Sequence, residues 1–120
     1  MTEIGRNELV ELIAAGDVLL VDVRTVGEYD GSAGYPCDPE QGHIPGARHL
    51  ELSELFELSP EQVRERVGLP EDTELVAYCH SGSRSAMAVQ ILRTAGYDAR
   101  NYAGSWHEWA SDPALPIESS

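Results

Sequence analysis

The chain has few of the residues that build several common classes of protein. Its 120 residues include two cysteines, Cys37 and Cys79, and neither a C-x-x-C motif nor a Cys/His cluster at metal-ligand spacing. We therefore expect no disulfide framework, no metal site and a reducing compartment. No apolar run approaches the roughly 20 residues that a membrane-spanning helix requires, and residues 1–8 include acidic side chains where a signal peptide would be basic. These absences predict a soluble cytoplasmic protein that has no membrane partner.

Basic residues are scarce as well. Eight Lys and Arg stand against 21 Asp and Glu, which gives a formal net charge of −13. Nucleic acids and anionic membranes are bound by basic surfaces, so neither is an expected partner. An acidic surface also repels small anions at long range, and any anion site must therefore be made positive by groups close to it.

The pattern of apolar runs predicts an α/β fold in a single domain of residues 1–120. Runs 18–23 and 74–78 have the nearly continuous apolar character of strands that are buried on both faces. Residues 47–50 predict a short strand, and 98–102 predict one more. Helix-like stretches separate these strands. The alternation predicts a mainly parallel sheet with helices on both faces, and ligands of such sheets bind beyond the carboxyl ends of the strands.

Capping signals predict where the helices begin and end. The expected helix starts are Asn7, Thr25, Ser53, Ser59 and Ser85. The expected stops are Gly16, Gly68 and Gly96. Residues 30–41 contain several turn-forming residues and no periodicity, which predicts a long surface loop.

Cys79 follows the second buried run and opens the segment C-H-S-G-S-R-S at residues 79–85. A thiol between a strand end and a helix start lies near backbone N–H groups and the positive end of the helix dipole, and both favour the thiolate. Gly82 permits backbone angles that a side chain would forbid, and Arg84 places a permanent cation beside a bound anion. The segment therefore predicts a nucleophilic cysteine whose thiol has a pKa below the ordinary value.

Three further motifs accompany this C-x-x-x-x-R segment in a fixed order. They are L-V-D-V-R followed by E-Y at 20–29, G-H-I-P-G-A at 42–47 and G-S-W-H-E-W at 104–109. In this ordered set the chain resembles the rhodanese-type sulfurtransferases, and most closely the catalytic domain of the thiosulfate sulfurtransferases. The resemblance implies a rhodanese-like fold with a central five-stranded sheet, no cofactor, and transfer of a sulfane sulfur.

The resemblance also implies roles for individual residues. Cys79 and Arg84 are the expected catalytic residues. Cys79 would attack the outer sulfur of a small anionic donor such as thiosulfate and keep it as a persulfide, while Arg84 steadies the departing oxyanion. Cyanide or a thiol, including that of a thiol protein, would then accept the sulfur. The expected substrate-binding residues are His80, Ser81, Gly82, Ser83 and Ser85.

Two of these residues have a second interpretation. His80 would add positive charge near or below neutral pH, or it is an exposed loop residue. Ser85 would donate a hydrogen bond to the sulfur, or it caps the following helix. Elsewhere, Asp22, Arg24 and Glu28 are expected to form an ion-paired network at a strand end, and His43 to hydrogen-bond backbone groups in a turn.

Other functions remain open at the level of sequence. Cysteine phosphatases and arsenate reductases use a C-x-x-x-x-x-R loop, which is one residue longer than residues 79–84 and fits a tetrahedral oxyanion. A non-catalytic module that binds a partner or carries a persulfide is a second alternative. The 3-mercaptopyruvate enzymes have a loop resembling C-G-x-G-x-T, whereas Arg84 occupies the last position here. Cys37 is expected to be an exposed thiol with no partner, or else a second thiol that attacks the persulfide.

Overall fold

The computed structural model describes residues 3–16 and 18–119, which form a five-stranded sheet and its covering helices. The strands are β1 (Glu3–Ile4), β2 (Leu19–Asp22), β3 (Arg48–His49), β4 (Glu74–Tyr78) and β5 (Asp98–Tyr102). The helices are α1 (Arg6–Ala15), α2 (Val26–Asp30), α3 (Leu52–Phe56), α4 (Pro60–Val67), α5 (Ser83–Thr94) and α6 (Ser105–Ala110).

The sheet is parallel throughout, with the strand order β1-β5-β4-β2-β3. The central strand is β4, in which Ala77 lies between Val21 of β2 and Asn101 of β5. The carboxyl end of β4 is therefore in the middle of one edge of the sheet. The predicted α/β class, the five strands and the parallel arrangement are confirmed.

Alternate side chains of β4 enter two separate cores. Leu75 and Ala77 pack with buried residues of α3, α4 and α5, whereas Val76 and Tyr78 pack with buried residues of α1 and α6. Successive strand side chains point to opposite faces, and this explains why the run was apolar without alternation. Full burial of a side chain such as Leu75 stabilises the fold by about 1.5–3 kcal/mol. Helices therefore cover both faces, as predicted.

Local signals placed some helix ends correctly. Thr25 and Glu28 form a capping box at α2, and Ser59 and Gln62 form another at α4. Gly16 ends α1 in the left-handed conformation that glycine adopts without strain. Residues 31–41 form turns between α2 and the rest of the chain, as expected.

Three predicted helix starts are wrong. The α1 cap is Gly5 rather than Asn7, and the α3 cap is Glu51 rather than Ser53. The third, α5, is capped by Gly82, so Ser85 lies inside the first turn of the helix. None of these three cap residues makes a side-chain hydrogen bond to the helix. A prediction based on residues whose side chains cap helices therefore chose a nearby Asn or Ser instead. Strand β1 was also missed, because two residues carry no periodicity.

The described helices are short. None of them has the length and apolar character needed to cross a membrane.

Candidate active site at the carboxyl end of β4

Cys79 directly follows β4 and precedes a three-residue connection to α5. Its side chain belongs to the core on the α5 side of the sheet, and the residue is only 1% exposed. The fold thus brings a thiol to the edge of the sheet and surrounds it with the polar groups of a loop and a helix start.

Three groups donate hydrogen bonds toward the sulfur of Cys79. The Gly82 N–H lies 3.1 Å from Cys79 Sγ, the Ser85 hydroxyl 3.3 Å and the Ser105 hydroxyl 3.9 Å. Ser105 also accepts a hydrogen bond from the Cys79 N–H at 3.0 Å. These donors favour a negative charge on sulfur more than a neutral thiol.

The protonation of Cys79 reflects two opposing effects. Burial raises the pKa of the thiol. Hydrogen bonds from the Ser85 hydroxyl and from the backbone N–H groups of Ser85, Gly82 and Ser81 outweigh burial, and they hold the pKa below its ordinary value. The direction of the shift, and the part that the backbone N–H groups at the start of α5 have in it, agree with the expectation from the sequence.

Ser85 is buried, is not the helix cap, and has its hydroxyl beside the thiol. Its hydroxyl lies 2.6 Å from Asn101 Oδ1 and 3.3 Å from both Cys79 Sγ and the Gly82 carbonyl, so these acceptors share one hydrogen. The Asn101 amide in turn donates to the Gly82 carbonyl at 3.2 Å. Asn101 and Ser105 were not assigned roles from the sequence, because only the fold brings β5 and α6 beside Cys79.

Two features favour glycine at position 82, its backbone conformation and the close approach of a neighbouring backbone oxygen. It has φ = 99°, which an L side chain rarely adopts. A Cβ atom at this position would also lie 2.6 Å from the Ala103 carbonyl oxygen. The other expected loop residues, Ser81 and Ser83, are exposed.

Arg84 is held by Glu28. The two side chains form a bidentate pair, with Arg84 Nη1 2.9 Å from Oε1 and Nη2 3.0 Å from Oε2. Burial raises the pKa of the Glu28 carboxyl, but hydrogen bonds from Arg84 and Thr25 lower it to about 2. Glu28 is therefore ionised at neutral pH and compensates part of the charge that Arg84 was expected to offer to an anion.

The network expected of Asp22, Arg24 and Glu28 divides into two parts. Asp22 and Arg24 form a buried ion pair, with Arg24 Nη2 2.7 Å from Asp22 Oδ2, and the same nitrogen donates to the Gly42 carbonyl. Glu28 instead joins Arg84. His43 hydrogen-bonds the backbone as predicted, with Nδ1 2.7 Å from the Tyr29 carbonyl oxygen.

The His80 ring lies against two residues of the loop of residues 31–47. The ring stacks on Tyr35 with a centroid distance of 3.8 Å, and its Nε2 lies 3.1 and 3.2 Å from the two carboxylate oxygens of Asp38. The ring is thus directed to the loop of residues 31–47.

Cys37 and His107 complete this group of side chains. Cys37 Sγ lies 3.9 Å from His80 Nε2, and His107 Nδ1 lies 2.8 Å from Asp38 Oδ1. The prediction that Cys37 is exposed is confirmed, and the prediction that it has no partner is wrong, because His80 lies beside the thiol. We call Cys37, Asp38, His80 and His107 the Asp38 cluster.

A cavity of about 250 Å³ opens beside Arg84. Val23, Leu52 and Phe56 contribute to its walls, and Phe56 is 60% exposed. Arg84 thus pairs with Glu28 and also lines a cavity large enough for a small molecule.

Comparison with known proteins gives consistent matches. The sequence model of the family described as "Rhodanese-like domain" matches residues 6–112. A thiosulfate sulfurtransferase from Azotobacter vinelandii is 32% identical over 123 residues, which cover 95% of this chain and 45% of that protein. A probable 3-mercaptopyruvate sulfurtransferase from Pseudomonas aeruginosa is 39% identical over 109 residues, which cover 82% of this chain and 38% of that protein.

A solved structure gives the same picture. The crystal structure of a probable thiosulfate sulfurtransferase has a TM-score of 0.82 and 43% sequence identity, and the match covers 98% of this chain and 47% of that chain. This chain spans less than half the length of each of these three proteins. The loop difference at Arg84 does not separate it from proteins named for 3-mercaptopyruvate, since one of them is 39% identical.

Proposed function

Because the chain belongs to the rhodanese-like domain family, we propose that it is a sulfurtransferase that moves a sulfane sulfur through a persulfide on Cys79. The observation that carries the proposal is the environment of Cys79. The thiol is buried at a strand end, hydrogen bonds lower its pKa, and its donors come from the loop, α5 and α6.

In the first step the Cys79 thiolate attacks the outer sulfur of thiosulfate. A bond forms between Cys79 Sγ and that sulfur, the S–S bond of thiosulfate breaks, and sulfite leaves with the electron pair. The negative charge moves from Sγ to the terminal sulfur of the persulfide. The Gly82 N–H and the Ser85 and Ser105 hydroxyls, which lie 3.1, 3.3 and 3.9 Å from Sγ, stabilise the anion before and after the transfer.

In the second step an acceptor removes the terminal sulfur. Cyanide or a thiolate attacks it, the persulfide S–S bond breaks, and Cys79 returns to the thiolate with the electron pair. The products are thiocyanate or a new persulfide on the acceptor. The same donors again stabilise the leaving thiolate, so one site serves both steps.

Arg84 assists by holding the sulfonate end of the donor. A guanidinium carries five N–H donors, and Glu28 occupies one on each of its terminal nitrogens. Arg84 also lines the cavity described above, and its remaining donors would bind an anion there. Glu28 fixes the orientation of the guanidinium, but its negative charge reduces the positive charge that the pair offers to an anion.

A comparison of donors tests the proposal. Steady-state rates with thiosulfate, 3-mercaptopyruvate and an aryl phosphate are measured with cyanide or a thiol as acceptor. We expect turnover with thiosulfate and none with the aryl phosphate. Phosphate release would overturn the proposal in favour of a cysteine phosphatase.

The variant Cys79→Ser tests the nucleophile. It should lose turnover while keeping the circular dichroism spectrum and thermal midpoint of the wild type, and Cys37 remains in it as an internal control. Wild-type protein treated with thiosulfate should gain one sulfur atom by intact mass, located on Cys79 by peptide mapping. Residual turnover in Cys79→Ser, or sulfur mapped to Cys37, would contradict the mechanism, and loading without turnover would leave only a carrier.

A further inference from the structure

The Asp38 cluster brings four metal-binding side chains together from three separate parts of the chain. Cys37 and Asp38 lie in the loop of residues 31–47, His80 follows Cys79, and His107 lies in α6. One donor atom from each residue lies within 4.8 Å of every other. No local motif joins them, so their spacing in the sequence gives no sign of the cluster.

The hydrogen bonding of Asp38 is incomplete. The Asp38 side chain is 1% exposed, and its Oδ1 contacts both His107 Nδ1 at 2.8 Å and His80 Nε2 at 3.2 Å. Oδ2 is also 3.1 Å from His80 Nε2, but it has no hydrogen-bond partner within residues 3–16 and 18–119. One ring N–H cannot satisfy both oxygens. A buried carboxylate oxygen without a hydrogen-bond donor is costly.

We propose that the Asp38 cluster binds one Zn²⁺ ion. Thiolate, imidazole and carboxylate are the ligands that zinc takes in four-coordinate sites, at roughly 2.0–2.3 Å from the metal. Two ligands of a tetrahedron with such bonds are separated by roughly 3.3–3.8 Å. His107 Nδ1 lies 2.8 Å from Asp38 Oδ1 and Cys37 Sγ lies 3.9 Å from His80 Nε2, on either side of this range, and every pair lies within 4.8 Å. Movement of the exposed Cys37 would close the site around the ion.

The charges also fit a dication. The Cys37 thiolate and the Asp38 carboxylate carry two negative charges, and two neutral imidazoles add none, so a site with Zn²⁺ is neutral. Binding releases the Cys37 proton to solvent. A neutral site removes the free-energy cost of burying the charged Asp38 carboxylate, a cost that the two histidines offset only in part.

The ligands are held by neighbouring contacts. The Asp38 N–H donates to the Tyr35 carbonyl at 3.0 Å, the Tyr35 ring stacks on His80, and the His107 N–H donates to the His80 carbonyl at 3.0 Å. Zinc would join the loop of residues 31–47 to the residue after Cys79 and to α6. The ion would thereby fix the loop of residues 31–47 beside the candidate active site.

Cobalt substitution tests the site, since tetrahedral Co²⁺ absorbs visible light and a thiolate ligand adds a charge-transfer band. Protein without an affinity tag is stripped with a chelator and titrated with Co²⁺. We expect one Co²⁺ per chain, strong tetrahedral absorption, a thiolate charge-transfer band, and displacement of all three signals by one equivalent of Zn²⁺.

Two cysteine variants separate this site from the candidate nucleophile. The charge-transfer band should persist in Cys79→Ser and vanish in Cys37→Ser. The opposite pattern would place the metal on Cys79 and overturn the proposal. The readout is metal binding, so it does not depend on whether the chain transfers sulfur.

Matched variants test the other ligands. His107→Ala and Asp38→Asn should weaken Zn²⁺ binding by about 100-fold or more, since even loss of an outer-shell partner costs 10–100-fold. Glu40→Gln removes an exposed carboxylate from the same loop and should bind zinc as the wild type does. Equal affinity in all four proteins would overturn the proposal.

Thermal unfolding gives a second measurement if a variant folds poorly. Zn²⁺ at about 100 times its Kd should raise the Tm of the wild type and of Cys79→Ser by roughly 10 °C. A stoichiometry well below one ion per chain, with no rise in Tm, would mean that Asp38 serves only as a hydrogen-bond acceptor for the two histidines.

Discussion

At the scale of the residue, Cys79 is a thiol on which burial and hydrogen bonding act in opposite directions. Burial raises its pKa, and the Ser85 hydroxyl with three loop N–H groups lowers it further than burial raises it. The thiolate fraction therefore persists to lower pH than in a free cysteine. Alkylation should slow as the pH falls through this lowered pKa, because only the thiolate reacts.

Iodoacetamide alkylation followed by peptide mapping measures this for each cysteine separately. We expect the midpoint for Cys79 to lie below the free value of about 8.5. Ser85→Ala removes the hydroxyl donor and should raise the midpoint, whereas Ser111→Ala removes an exposed hydroxyl and should not. A wild-type midpoint at or above the free value would show that burial dominates and that the site is not poised for nucleophilic attack.

The pair of Arg84 and Glu28 is the second feature at this scale. Loss of one preorganised oxyanion donor costs a hydrolase roughly 10²- to 10³-fold, and Arg84→Ala should cut kcat/KM for thiosulfate by about 10²-fold or more. Arg84→Lys should restore only part of this rate, because an ammonium cannot reproduce the bidentate contact with Glu28.

Arg93→Ala is the matched control for these variants. Arg93 is exposed and lies in the same helix, α5, where it contacts Asp98 and the Ala99 carbonyl. Its removal should leave kcat/KM nearly unchanged. Similar rates in Arg84→Ala and Arg93→Ala would show that the loop N–H groups alone hold the donor.

At the scale of the element, the connection from β4 to α5 depends on Gly82. Gly82→Ala would force a left-handed φ on alanine and place its Cβ 2.6 Å from a backbone oxygen. We expect a loss of about 1–3 kcal/mol in the free energy of unfolding, with a large loss of turnover because the Gly82 N–H moves away from Cys79 Sγ.

Gly68→Ala separates the effect of the positive φ from the effect of the close contact made by the added Cβ. Gly68 also has a positive φ, of 73°, but the nearest atom to its added Cβ is 3.9 Å away. Urea unfolding should show a smaller loss of stability there and no loss of turnover. Equal effects of the two substitutions on stability would mean that the contact with Ala103 is relieved without cost.

The same elements show what the sequence can and cannot predict. The strand before Cys79 and the capping boxes at Thr25 and Ser59 were predicted because their signals are local in the chain. The start of α5 was misplaced because Gly82 caps it through its backbone, and glycine at a helix start gives a weak signal.

Contacts made by the fold were not predictable from spacing. Ser105 contacts Cys79 from α6, and Asn101 contacts Ser85 from β5, each from a distant part of the chain. Likewise, Glu28 meets Arg84, and Asp38 meets both His80 and His107. Each of these contacts includes a residue that belongs to a sequence motif. Its partner could not be identified, because the order of the strands in the sheet determines which loops meet at its edge.

At the scale of the whole molecule, the negative net charge of the chain repels the proposed anionic substrate. The chain carries −13, thiosulfate is a dianion, and Glu28 compensates part of the charge of Arg84. Long-range repulsion between exposed charges is screened by salt, with a Debye length that falls from about 30 Å at 0.01 M to about 8 Å at 0.15 M. The short contact between the donor and Arg84 is screened much less.

We therefore expect kcat/KM for thiosulfate to rise several-fold between these two ionic strengths, mainly through a lower KM. Alkylation of Cys79 by iodoacetamide, which is neutral, should change little over the same range and is the control. Repeating the series with two different salts separates screening from competition by a particular anion. A steady fall in kcat/KM as salt increases would show the reverse balance, in which local attraction by Arg84 and the loop N–H groups exceeds the repulsion of the acidic surface.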